Sequence, residues 1–174
     1  MHETLHSPKS FRVILPIAIA VEETDEDVSE SELFIEEKSQ VIDAVRSRRR
    51  EFATVRACAR QSLGHLGYPP VPILSGRRHE PIWPDGIVRS MTHCDGYRAA
   101  AVASKSDMTA IGIDAEINEP LPVEVADLII SENEAQALRY LASSEPYVAW
   151  DRLLFSIKES IFKTWRVIQE SLPP

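Results

Sequence analysis

Cysteine is scarce in this chain: Cys58 and Cys94 are its whole complement among 174 residues. One disulfide could be drawn between them, but two free thiols in a reducing cytosol are the expected state. Positive charge is in deficit as well. Lysine and arginine number 19 against 27 aspartates and glutamates, a net charge of −8, whereas a general nucleic-acid binder needs a basic footprint. Long apolar runs are missing too, and none approaches the ~20 residues of a bilayer-spanning helix. The nearest candidate, Val13 to Val21, follows Lys9 and Arg12, and Ala18-Ile19-Ala20 resembles a signal-peptidase site. Pro16 interrupts that run, and His2 and Glu3 dilute its basic start, so a buried or edge strand is expected there. These absences exclude a nucleic-acid partner and a membrane partner from the expectation and leave a cytoplasmic protein.

What is present is ordinary for a soluble globular protein: 44% hydrophobic and 26% charged residues. The length suits one domain or two small lobes. Glu22 to Glu37 is strongly acidic and reads as a solvated loop entering a helix, with Ser29-x-x-Glu32 available as a capping box. From Ser47 to Leu66 an apolar stripe of Phe52, Val55, Ala59, Leu63 and Leu66 predicts a helix, ended by Gly67 and Pro69-Pro70. Arg49, Arg56 and Arg60 share another face, with Arg48 at its edge. A basic helix face is often just solvated, but guanidinium groups clustered in an acidic protein also suit a phosphate, which arginine grips with a planar fork.

Ser75 to Pro81 reads as a turn with a basic tip, and strands are expected over Val88 to His93, Tyr97 to Ala103 and Met108 to Glu116. On the last of these, Asp114 and Glu116 are two residues apart and would project from one face, with Ile113 and Ala115 opposite. Such a pair is half a site for Mg²⁺, which binds few protein carboxylates and completes its shell with water and phosphate oxygens. A capping box at Ser131 to Glu134 precedes a helix over Ala135 to Leu141, and Pro146 suits the start of a helix over Trp150 to Trp165. Apolar residues at 150, 153, 154, 157 and 161 predict one buried face on that last helix. Glu159 and Lys163, four apart, are either a surface ion pair or a third carboxylate with its cation.

Taken together, Trp83-Pro84-Asp85-Gly86 with Ser90-Met91-Thr92-His93, Gly112-Ile113-Asp114-Ala115-Glu116, and Phe155-Ser156-Ile157-Lys158-Glu159 followed by Lys163 resemble the 4′-phosphopantetheinyl transferases of the surfactin and enterobactin type. Arg48 to Phe52 with Arg56, Cys58, Ala59 and Arg60 extends the resemblance upstream, so that it runs from about Arg46 to Lys163. The resemblance implies an α+β fold of two similar lobes, each a helix on a small antiparallel sheet. Here the lobes would be 1–107, with the arginine helix and coenzyme A loop, and 108–174, with the metal site. It implies coenzyme A held by Arg48, Arg56, the loop Ser75, Gly76, Arg77 and Arg78, then Thr92, His93 and Lys163. It implies Mg²⁺ on Asp114, Glu116 and Glu159, with Glu159 and Lys163 catalytic.

The expected activity is transfer of the 4′-phosphopantetheine arm to a serine of an apo acyl or peptidyl carrier protein, by a monomer, in fatty-acid, polyketide, nonribosomal-peptide or siderophore synthesis. Three departures stand out. Ser75 replaces a position where the family often offers lysine, Arg89 stands where glycine is usual, and the sequence diverges after Trp165, so an incomplete second lobe is expected. A catalytically impaired coenzyme A- or carrier-binding remnant is therefore a second expectation, and an unrelated metal-dependent phosphohydrolase a third.

Overall fold

The structure is a computed structural model and describes residues 10–77 and 80–171. Three antiparallel strands form its middle layer: β1 (Ala20–Thr24), β2 (Ile87–Cys94) and β3 (Tyr97–Ser104), in the order β1-β3-β2. The central strand carries Ala99, Ala100, Ala101 and Ala103, all fully buried. Alanine has little intrinsic preference for strands, so burial between two neighbours and two covering layers decides the conformation here.

One face of the sheet is covered by α3 (Arg46–His65). Cys58, Ala59 and Leu63 of this helix pack with Ile73, Ile87, Ala100 and Val102, and the Ser62 hydroxyl donates to the Ala100 carbonyl at 3.0 Å. Ala59, Leu63 and Leu66 of the expected apolar stripe therefore face the sheet while Phe52 packs with Leu33 and Val41, and Gly67, at φ 83°, ends the helix. On the other face Val21, Val88, Ala99, Ala101 and Ala103 meet Ile111 and Ile113, with Val167 packed alongside. The remaining helices are α1 (Ser10–Ile14), α2 (Ile35–Ser39), α4 (Val123–Ile129), α5 (Glu132–Ser144) and α6 (Trp150–Ser171). The architecture is α+β, and among the described residues the three-stranded antiparallel sheet lies in the N-terminal part.

Several sequence expectations are corrected. The run Val13 to Val21 is not a strand: α1 ends at Ile14, Pro16 breaks the chain, and β1 starts only at Ala20. Ser29 caps a 3-10 turn by accepting from the Ser31 amide rather than forming the expected box. The acidic stretch is not uniformly solvated, because Glu23 and Glu37 are buried. Met108 to Glu116 is irregular chain instead of a strand. The Ser90 hydroxyl accepts from the Ile113 amide at 3.0 Å and the Thr92 hydroxyl from the Ala115 amide at 2.9 Å, so β2 side chains satisfy donors that a ladder would otherwise take. Pro146 lies in a turn before α6 rather than in its first turn. The capping box at Ser131 and Glu134 does form.

The buried face expected for α6 is also corrected, since Leu153, Ile157, Ile161 and Trp165 are exposed, Ile161 at 63%. What α6 does pack against is Gly112. A Cβ there would stand 1.9 Å from the Ser160 carbonyl oxygen and 2.2 Å from the Thr164 hydroxyl, so a glycine is what lets the helix and the 111–116 segment touch. Among the described residues no helix is long and apolar enough to cross a membrane.

Candidate functional site

The N-terminal half of α3, strand β2 and the C-terminal half of α6 converge on a cleft of about 310 Å³ whose wall includes Arg48, Arg56, Ser75, Arg89, His93 and Lys163. Arg56 is buried on α3. Its Nε donates to the Ile73 carbonyl at 2.8 Å, its Nη2 to the Ser75 hydroxyl at 3.1 Å, and its guanidinium lies over the Phe52 ring. Burial lowers its pKa to about 10, against the pull of Glu37, which still leaves it charged at neutral pH. Arg48 is more exposed and reaches Glu51 at 2.6 Å and His93 at 2.8 Å.

The other arginines of the predicted cluster are spent elsewhere. Arg49 donates to Glu30 and the Ala44 carbonyl, while Arg60 donates to both oxygens of buried Glu37 at 2.8 and 3.0 Å. Glu37 also accepts from the amides of Phe34 and Ile73, so this pair ties α2, α3 and the chain before the Ser75 turn into one unit.

At that turn Gln40 accepts from the Ser75 amide at 2.9 Å and Gly76 donates to the Glu80 carbonyl at 2.7 Å. A Cβ on Gly76 would meet the Glu80 carboxylate at 2.5 Å. Arg77 is exposed at the tip, and Arg78 lies outside the described residues. Arg89 also joins the cleft wall.

Lys163 links the cleft to the carboxylates. Its Nζ donates to Asp114 Oδ1 at 2.6 Å and to the Ile113 carbonyl at 3.1 Å, and the Thr92 hydroxyl donates to the same Asp114 oxygen at 3.2 Å. Oδ2 of Asp114 is buried without a hydrogen-bond partner. Glu116 is held by Arg152 at 3.2 Å, which also donates to the carbonyls of Glu119 and Pro120. Asp114 and Glu116 share the wall of a second cavity of about 580 Å³. Glu159 sits half-buried on α6, and among the described residues no three His, Cys, Asp or Glu side chains are grouped as metal ligands.

Burial lowers the His93 pKa, aided by the charges of Arg48, Arg98 and Lys163, while Glu51 opposes the shift. Glu51, which the sequence carries inside the Arg48 to Phe52 motif without a role of its own, also lines the cleft, as do Glu80 and Arg166. The three-residue spacing of Glu51 from Arg48 is common on any helix.

A basic cleft between α3 and α6, next to a carboxylate with one unpartnered oxygen, is the outline of a phosphate-transfer or phosphate-binding protein. The chain belongs to the 4′-phosphopantetheinyl transferase family. The model of the 4′-phosphopantetheinyl transferase N-terminal domain matches residues 36–103, and that of the 4′-phosphopantetheinyl transferase superfamily matches 110–173. Among relatives, 4′-phosphopantetheinyl transferase Svp of Streptomyces mobaraensis is 56% identical over 133 residues, 76% of this chain and 54% of its own length. 4′-Phosphopantetheinyl transferase Npt of Nocardia iowensis is 43% identical over 152 residues, 87% of this chain and 67% of its own. Enterobactin synthase component D of Salmonella typhi is 31% identical over 135 residues, 76% of this chain and 55% of its own. The chain thus spans about half the length of the first and last of these.

Proposed function

We propose that this chain carries the coenzyme A site and the chemical centre of an enzyme that transfers 4′-phosphopantetheine from coenzyme A to a serine of a carrier protein. The observation that carries the reading is the placement of Arg48, Arg56 and Lys163 around one cleft beside Asp114, in a chain of this family. Residues 1–107 form the nucleotide-binding lobe and 108–174 the lobe that bears the carboxylates. The protein acts as a cytoplasmic monomer, and its partners are coenzyme A and an apo acyl or peptidyl carrier protein.

In the reaction the serine oxygen bonds to the phosphorus that carries the pantetheine arm. The bond from that phosphorus to the bridging oxygen breaks, and adenosine 3′,5′-bisphosphate leaves with the electron pair. Arg48, Arg56 and His93 hold the 3′-phosphate. Ser75, Gly76, Arg77 and Arg78 flank the nucleotide, and Thr92 orients Asp114 through its hydroxyl. Glu159 takes the serine proton, and Lys163 stabilises the leaving phosphate. Asp114, Glu116 and Glu159 offer the oxygen donors a hard cation takes, and Asp114 keeps one buried oxygen without a partner, though the three are not grouped as ligands among the described residues. Mg²⁺ held there would neutralise charge on the diphosphate.

A second reading is favoured by one observation: Lys163 and Arg152 already pair with Asp114 and Glu116. On that reading the chain binds coenzyme A or carrier without turnover. The test is to incubate the protein with coenzyme A, Mg²⁺ and apo carrier proteins and weigh the carrier. Gain of the arm's mass supports transfer. Coenzyme A binding without mass gain favours the binding reading, and phosphate released without carrier would mean a hydrolase.

A further inference from the structure

On the cleft wall, Glu51 stands between the two groups that would meet an incoming phosphate. Its Oε2 lies 2.6 Å from Arg48 Nη1, and its Oε1 lies 3.2 Å from His93 Nε2. The same His93 nitrogen is 2.8 Å from Arg48 Nη1. That nitrogen has two exclusive roles: with its lone pair it accepts from Arg48, and protonated it donates to Glu51. In both states the carboxylate holds the Arg48 donor, and in the protonated state it holds His93 as well.

We propose that Glu51 is a built-in competitor for the phosphate site: a carboxylate that keeps Arg48 and His93 engaged until a nucleotide phosphomonoester displaces it. The inference rests on the reading of the cleft as the coenzyme A nucleotide site. Exchange of one anion for another favours the ligand carrying more charge. A terminal phosphate, near −1.5 to −2 at neutral pH, outcompetes a carboxylate, while a singly charged diester gains little. Glu51 thereby lowers the affinity of every anion at this spot by the cost of its own displacement, a cost that a terminal phosphate offsets best.

The experiment titrates adenosine 3′,5′-bisphosphate and adenosine 5′-monophosphate into the wild-type protein, E51Q and E51A by calorimetry at fixed salt. The expected result is bisphosphate binding about tenfold tighter in both variants, with the monophosphate, which lacks the 3′ group, changed by less than about twofold. Unchanged or weaker bisphosphate binding in the variants overturns the role of Glu51. An equal gain for both nucleotides overturns it too, since that is a general field effect. If the wild type binds both nucleotides alike, the reading of the cleft itself fails, a result distinct from the other two.

Discussion

Arg48 and Arg56 differ in how far each is tied into the fold. Arg56 is buried against Phe52, Ile73 and Ser75, so Arg56→Ala leaves the Ile73 carbonyl short of a donor. That substitution should lower stability by roughly 1.5–3 kcal/mol as well as weaken coenzyme A. Arg48 is exposed, so Arg48→Ala should leave the melting temperature in place and weaken coenzyme A more than dephospho-coenzyme A, roughly tenfold. Melts and titrations of both variants check the contrast, and equal losses for both ligands would place Arg48 away from the 3′-phosphate.

The carboxylates give a second test at this scale. Asp114→Asn, Glu116→Gln and Glu159→Gln should each remove most transfer at subsaturating Mg²⁺, and wild-type rates in all three would remove the metal assignment. His93 adds a pH dependence. Its pKa is depressed in the fold, so the unfolded chain takes up the proton first as pH falls below about 6.5. The contribution of His93 is therefore present above that value and lost as pH drops through the folded pKa. In His93→Gln the fall in stability with acidification should be shallower, as denaturant melts across that range would reveal.

Among the elements, the contact between α6 and the 111–116 segment positions Lys163 against Asp114. Gly112→Ala puts a methyl group where Ser160 and Thr164 already stand, and overpacking of this kind costs about 1–3 kcal/mol. The expected outcome is a lower melting temperature and a transfer rate that falls further than coenzyme A binding. Loss of both in equal measure would show that α6 serves the nucleotide as much as the chemistry.

Legibility from sequence follows the same physics. The α3 helix could be read because its apolar stripe and terminal glycine are local signals, and the Ser131 box because its partners are three residues apart. The 111–116 segment could not be read as irregular, since alternation of Ile111 and Ile113 with acids describes any chain with one side buried, and the hydroxyls that replace its ladder come from Ser90 and Thr92. Glu37 looked solvated because its neighbours are acidic, and the arginine that neutralises it is Arg60, on another helix. Arg48, Arg56, His93 and Lys163 belong to sequence motifs, and the structure brings them to one cleft. Glu159 belongs to such a motif too, and no ligand group forms around it among the described residues.

For the whole molecule, the apolar side of α6 sets the balance between inside and outside. Ile161 is 63% exposed while Ile113 is 2% exposed. Ile161→Glu should therefore change stability by less than about 0.5 kcal/mol, whereas Ile113→Ala should cost roughly 2–5 kcal/mol. Chemical denaturation of the two variants checks this, and a large loss from Ile161→Glu would mean that something covers that side in solution.

The alanines of β3 carry a consequence for distances. Ala100 faces α3, and Ala101 faces the layer of Ile111 and Ile113, so at these two positions only a methyl group stands between the strand's backbone and each layer. Arginines ride on one layer, and Lys163 is bonded to the other. The strand is thus a shim between the two jaws of the cleft. A single added pair of methyl groups, as in Ala100→Val or Ala101→Val, would widen the jaw opening without touching any residue that meets a phosphate.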